Sequence, residues 1–262
     1  MEQVTIRFDN GAEYEEFMGR WSRLAGDEFL RWLAPARGWR WADVGCGNGA
    51  FTEMLAERCA PASLHGIDPS AGQLEFARTR PALAATRFHE GVATALPWDD
   101  AAFDAAVMAL VIFFVPDPVR GVAEMARVVR PGGSVSAYAW DLLGGGFPYA
   151  ALNQEMDAAG LAPVWPPSAA AANLEALRSL WTGAGLVDIE TRVITVQRTF
   201  ADFDTYWAIA RTGPVVAPRL AMLTPEGLAG VRARLATRAQ PDAAGRVTFT
   251  GRANAVKGRV PG

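Results

Sequence analysis

The sequence predicts an α/β fold, a mostly parallel sheet with helices on both faces, and three observations predict it. Residues 39–44, 62–68 and 103–110 are short apolar runs ending in an acid or a turn, the pattern of strands buried on both faces. Helical segments such as 52–57 and 123–129 separate these runs, as crossover connections of parallel strands require. Between the first run and its helix lies Gly45-Cys46-Gly47-Asn48-Gly49-Ala50, a glycine-dense turn at a strand-to-helix junction.

In chain order, residues 12–33 carry an amphipathic helical pattern that stops before Pro35. Strand one runs over 39–44. The glycines at 45, 47 and 49 then permit positive φ and let a ligand approach the backbone, while the next helix aims unpaired N–H groups at it. Strand two, 62–68, ends in Asp68, and Pro69-Ser70 opens a helix. An ionised Asp only accepts hydrogen bonds, so at a strand's carboxyl edge it can take both hydroxyls of a ribose. A helix cap would explain an Asp or Ser here as cheaply, but not the interval from the glycine loop. A third strand, 86–90, precedes the turn 91–98, and a fourth, 103–110, precedes the loop 111–118. Helix 123–129 is ended by Pro131-Gly132-Gly133, and 134–140 alternates as strand five. Past Asp141 the triple glycine 144–146 and Ala162-Pro163-Val164-Trp165-Pro166-Pro167 punctuate a helix. A helix over 174–181, a strand over 186–193, helical sequence over about 200–239 and a strand over 246–256 complete the chain.

The loop leaves two cofactors open, because Gly45-x-Gly47-x-x-Ala50 with Asp68 downstream also satisfies the dinucleotide fingerprint. Asp43 before the first glycine, the extra Gly49, and the later Leu96-Pro97-Trp98, Phe103-Asp104 and Arg127-Val128-Val129-Arg130-Pro131-Gly132-Gly133 separate them. Together these resemble the class I S-adenosylmethionine-dependent methyltransferases, in the broad group of quinone-biosynthesis and small-molecule enzymes, over residues 14–140. The resemblance implies a Rossmann-like seven-stranded sheet with an antiparallel terminal strand pair and a small helical cap. S-adenosylmethionine is the implied cofactor and S-adenosylhomocysteine the product. The chain then divides into an N-terminal helical lid (1–38), a cofactor-binding core (39–140) and a remainder of the same domain (141–262) with cap insertions at about 141–170 and 200–240.

On the matching positions the resemblance implies cofactor contacts from Asp43, Gly45, Cys46, Gly47, Gly49 and Asp68, with Pro69, Ser70 and, more weakly, Gln73 beside the adenine. The family often has an Asp where this chain has Val92, which leaves the backbone of Val92 and Ala93 to define the adenine edge. Ala109 and Leu110 are expected to face the methionyl part. Tyr14, Arg20 and Trp21 are lid candidates, Arg20 as partner of the methionyl carboxylate and Trp21 also toward the acceptor; a helix that only packs on the sheet edge is the equal alternative. Many relatives carry a His where Phe113 aligns, so a general base from this loop is not expected.

The reaction implied is methyl transfer to an O, N or C nucleophile of a small molecule, in which alignment and desolvation supply up to roughly 7–11 kcal/mol. Tyr138, Trp140, Trp165, Tyr206 and Trp207 are acceptor-side candidates as walls and cation-π partners of the sulfonium, with Asp141, or more weakly Tyr138, as a base. Two alternatives are a S-adenosylmethionine-binding protein that does not methylate and an NAD(P)-dependent oxidoreductase. The second lacks a Tyr-x-x-x-Lys relay, since the one lysine is Lys257. Composition agrees with one enzyme domain: 262 residues that are 50% hydrophobic supply a sizeable core, and 20% charged residues argue against disorder. Apolar runs fall short of the roughly 20 residues of a membrane span and the start lacks a signal-peptide pattern, so a cytoplasmic location is expected. Cys46 and Cys59 make no metal or disulfide spacing and are expected reduced. His65 and His89 read as structural imidazoles, with no metal site. A net charge of −3 argues against a nucleic-acid partner, and the arginines beyond Arg211 read as solvated faces.

Overall fold

The computed structural model describes residues 15–262. A π-helical turn, Glu15–Gly19, leads into α1 (Arg20–Leu33), which buries Trp21, Ala25, Phe29 and Leu33 at four-residue intervals and ends in a left-handed Ala34 just before Pro35. The core then alternates β1 (Arg40–Val44), α2 (Ala50–Cys59), β2 (Ser63–Asp68), α3 (Ala71–Arg78), β3 (Arg87–Glu90), β4 (Phe103–Ala109), α4 (Pro118–Val128) and β5 (Val129–Trp140). After β5 come α5 (Ala150–Ala158), α6 (Leu174–Gly183), β6 (Val187–Phe200), three helices α7 (Phe203–Ala210), α8 (Val216–Leu220) and α9 (Pro225–Arg238), and β7 (Val247–Arg259). The seven strands form one sheet in the order β3-β2-β1-β4-β5-β7-β6. β1 to β5 pair in parallel, and β7 runs antiparallel between β5 and β6. This is the Rossmann-like architecture expected from the sequence.

The order reverses between β1 and β4: the chain leaves β1 toward β2 and β3, then crosses back to lay β4 on the other side. Loops diverge at such a switch point and open a crevice at the carboxyl ends of the strands. The glycine loop after β1 and residues 110–116 after β4 are its two walls. At the opposite end of the sheet, Asp104 accepts from Arg40 and Arg130, which hold its carboxyl well below the ordinary range and tie β1, β4 and β5 together.

Two elements differ from the sequence expectation. Pro131-Gly132-Gly133 lies inside β5, which begins directly after α4, and the register with β4 shifts between Phe103 and Ala105. A Cβ on Gly133 would sit 2.7 Å from the Asp104 carbonyl oxygen, so the glycine lets two strands close around a bulge. β6 extends to Phe200, seven residues past the expected end, because Ile194, Val196, Arg198 and Phe200 continue a buried alternation against β7.

Candidate active site

The crevice holds a cavity of about 1040 Å3. On its floor Gly45 and Cys46 donate backbone N–H bonds to the Ile67 carbonyl, which binds the loop to β2. Gly45 has φ of +79°, and a Cβ there would come within 2.4 Å of Val111. Gly47, at φ +51°, has no protein atom within 4 Å of the place a Cβ would take. The two glycines thus serve different ends: Gly45 lets the loops after β1 and β4 meet, and Gly47 leaves space open toward the cavity.

Two carboxylates line this floor. Asp68 bridges the loop and α3, accepting the Gly47 N–H on Oδ2 and the Ser70 N–H on Oδ1, both at 2.9 Å. Burial raises its pKa, and those two bonds oppose the rise. Each oxygen keeps a further lone pair for a ligand hydroxyl. Asp43, at the end of β1, is fully buried. The Thr52 hydroxyl donates to its Oδ2 at 2.6 Å, while its Oδ1 has no partner among the described residues. Desolvation, opposed by the Thr52 bond and helped by the charge of Asp68, pushes its pKa up to about 7. An unpartnered buried acceptor on a cavity wall fits a ligand cation, which supplies both the missing hydrogen bond and the missing charge.

Of the residues expected to hold a cofactor, Asp43, Gly45, Cys46, Gly47, Asp68, Pro69, Ser70, Gln73, Val92, Ala93, Ala109 and Leu110 all line this one cavity. Leu110 adopts φ of +63° and donates its N–H to the Tyr138 carbonyl, so the chain turns sharply at the mouth of β4. Ser70 also caps α3, accepting from the Gln73 N–H. The Cys46 thiol is buried, its pKa raised by desolvation, and its sulfur lies where a Cβ on Gly66 would clash. It is a packing residue rather than a nucleophile.

Other expectations are corrected. Gly49 does not line the cavity: at φ +79° it precedes α2, and a Cβ would meet Leu83 at 2.8 Å, so it serves helix entry and packing. Arg20 is exposed and off the cavity, while its neighbours Gly19, Ser22 and Arg23 line it. Trp21 is wholly buried in the core instead of facing an acceptor. Tyr14 lies outside the described residues. Asp141 is not on the cavity wall and is paired with Arg252 at 2.7 Å, which removes it as a base. Tyr206 stacks on Phe249 at 3.7 Å, and it and Trp207 are buried away from the cavity. Tyr138 and Trp165 do line it, Tyr138 buried against Phe29 and Phe51 and Trp165 half-exposed in the strip 163–167.

Trp140 lines a second, smaller chamber of about 110 Å3 with Phe17, Phe113, Phe147 and Val216. Leu110, Phe114, Val164 and Pro166 line both spaces and form the wall they share. Phe113 therefore gives this chain an apolar wall. Sequence reasoning missed Arg23, Phe114 and the Val164–Pro166 strip. The signal for Arg23 was its spacing, one turn after Arg20 and bordering the face that buries 21, 25, 29 and 33, so that the helix offers both arginines as candidates.

His65 and His89, expected to stand alone, stack with ring nitrogens 3.2 Å apart and pack edge-on to Trp98. Burial lowers both pKa values, and among the described residues no cluster of three or more His, Cys, Asp or Glu could hold a metal. The arginines of the C-terminal part find acids elsewhere in the chain: Arg219 pairs with Asp157, Arg232 with Asp204, Arg234 and Arg238 with Glu155.

Residues 42–137 match the family profile described as "Methyltransferase domain". The chain is 39% identical over 119 residues to a 2-methyl-6-phytyl-1,4-hydroquinone methyltransferase of Oryza sativa, covering 44% of this chain and 33% of that one. It is 36% identical over 100 residues to a fatty-acid O-methyltransferase of Mycolicibacterium smegmatis, covering 38% and 36%. These matches span less than half the length of either relative. A solved structure titled a methyltransferase from an antibiotic biosynthesis pathway of Anabaena variabilis shares the fold, with TM-score 0.62, 15% identity, and 90% and 98% of the two chains covered. Residues 42–137 thus resemble a methyltransferase domain in sequence, and the chain as a whole shares its fold with a solved structure of that description.

Proposed function

We propose that this protein transfers a methyl group from S-adenosylmethionine to a nucleophilic O, N or C atom of a small molecule, and one observation carries the reading. Asp43 and Asp68 both line the cavity over the glycine loop, and Arg23, half-exposed and 3.5 Å from Glu53, is the one arginine among its described lining residues. A pyrophosphate brought there would meet two carboxylates; a ligand with an ammonium, a sulfonium and two ribose hydroxyls would be complemented. This argues against the oxidoreductase alternative.

Asp43 Oδ1 would accept the methionyl ammonium, Asp68 the ribose hydroxyls, and Arg23 would donate to the methionyl carboxylate. Val92 and Ala93 would edge the adenine, and the Gly47 gap would admit the chain of the ligand. The bound sulfonium supplies an electrophilic methyl group. The acceptor's lone pair would form the new bond to that carbon as the C–S pair stayed on sulfur, leaving S-adenosylhomocysteine, and any acceptor proton would pass to solvent. Tyr138, Phe51 and Phe114 would exclude water from the reacting atoms. With Asp141 paired and Phe113 apolar, the chain's own part is alignment, and the acceptor brings its own nucleophilicity.

A small-molecule acceptor and a cytoplasmic location belong to the same proposal. Both cysteines are free and buried, no described helix is long and apolar enough to cross a membrane, and Arg219, Arg232, Arg234 and Arg238 are spent on internal ion pairs. Incubation with methyl-labelled S-adenosylmethionine and a panel of phenols, fatty acids and amines tests the activity. Label transfer to none of them, with the cofactor bound, would favour a binding protein without turnover.

A further inference from the structure

The smaller chamber carries more chemistry than its aromatic walls suggest. Its described lining is Phe, Met, Leu, Val, Pro and the indole of Trp140, with one amide, Asn153 of α5. The Arg219 guanidinium donates to Asn153 Oδ1 at 3.3 Å. Arg219 is itself buried and fixed, donating to Asp157 at 2.7 Å and to the Leu161 carbonyl at 3.0 Å. A guanidinium has no acceptor, so Asn153 must turn its oxygen toward Arg219 and its NH2 away. The amide orientation is thus set by chemistry, and a pair of N–H donors is left for the chamber side.

Size narrows the occupant further. A dry apolar cavity of roughly 150 Å3 admits benzene; this chamber, at about 110 Å3, is smaller, so a ring seats there only as the shared side chains Leu110, Phe114, Val164 and Pro166 give way, with its remainder toward the larger cavity. No charged side chain is among the chamber's described lining residues, and Arg219, which holds Asn153, is paired with Asp157. Resting on the methyl-transfer reading, we infer that the acceptor enters this chamber with an uncharged aromatic ring bearing a hydrogen-bond-accepting oxygen, and that Asn153, held by Arg219, is the residue that orients it. Asn153 is a positioning residue: it fixes the ring, and the ring's setting fixes the nucleophile.

The test uses two probes of nearly equal shape, acetophenone, which carries the oxygen, and isopropylbenzene, which does not. Each is titrated into the full chain saturated with S-adenosylhomocysteine, and the quantity read is the ratio of the two affinities. Asn153→Leu should lower the ketone-to-hydrocarbon ratio at least about fivefold, the scale of one hydrogen bond. Asn153→Asp keeps an oxygen for Arg219 but removes the donors, and should lower it as far should the leucine variant fail to fold. Val216→Phe, filling the chamber, should abolish binding of both probes while S-adenosylhomocysteine still binds. The inference is overturned by a ratio unchanged in the folded Asn153 variants, by probe binding that survives Val216→Phe, or by a wild-type chain that binds neither probe. Failure of S-adenosylhomocysteine to bind would instead sink the cofactor reading, and the ratio, measured without it, would still decide the chamber.

Discussion

Replacing Asp43 with Asn should make the protein more stable and less able to bind its cofactor. With its carboxyl pKa raised from 3.8 to about 7, the folded state holds a proton that the unfolded chain has already released. Stability is therefore full below about pH 4 and falls as pH rises toward 7, since over that span unfolding releases the proton. Between pH 5 and pH 7 the wild-type chain should lose about 2–3 kcal/mol through this one group, at roughly 1.4 kcal/mol per unit. Asparagine keeps an oxygen for the Thr52 hydroxyl and carries no charge, so its stability should lack this component. Urea unfolding of both proteins at pH 5 and pH 8, without ligand, should show the variant's advantage growing by about that amount. Its amide NH2 would replace the open acceptor on the cavity wall and meet the ligand ammonium donor to donor. Affinity for S-adenosylhomocysteine should then fall by about 3 kcal/mol, roughly 100-fold or more. The wild-type affinity should itself rise as pH is raised through 7, because the ammonium needs the ionised carboxylate. A stability difference that does not change with pH, together with unchanged affinity, would refute the reasoning.

Other substitutions separate the parts of the site. Asp68→Ala should weaken S-adenosylhomocysteine binding by about 1.5–3 kcal/mol, measured calorimetrically, with the fold intact although the Gly47 and Ser70 N–H groups lose their partner. In Gly47→Val the added Cβ has no described protein atom within 4 Å, so the chain should fold with a backbone penalty of about 1–2 kcal/mol by thermal unfolding and bind no cofactor; full affinity would contradict the loop assignment. Arg23→Ala should cost about tenfold in affinity where Arg20→Ala costs nothing, and the reverse result would restore the expectation drawn from sequence.

The part of the site that sequence made legible is the part built from local chain. The strand from Arg40, the glycine turn and Asp68 lie within 29 residues, and backbone conformation and strand periodicity constrain them directly. Positions set by packing between distant segments were not legible. Trp21, Tyr206 and Trp207 look like ligand walls in a cap, but Trp21 is on the buried face of α1, Tyr206 packs on Phe200 of β6 and Phe249 of β7, and Trp207 is buried off the cavity. Asp141 looks like a free carboxylate until β7 brings Arg252 beside it, and Asn153 gains meaning only when α8 places Arg219 against α5. The long alternation of β6 was present in the sequence; Phe200-Ala201-Asp202 reads as the start of a helix, and that reading hides the strand's last turn toward α7.

The central claim is that the acidic cavity over the glycine loop takes S-adenosylmethionine and not a dinucleotide. Isothermal titration of the full chain with S-adenosylmethionine, S-adenosylhomocysteine and NAD tests it without knowledge of the acceptor. Saturable binding of the first two at one site per chain, with no heat from NAD, is the predicted result. Binding of NAD with none of S-adenosylmethionine would contradict the account.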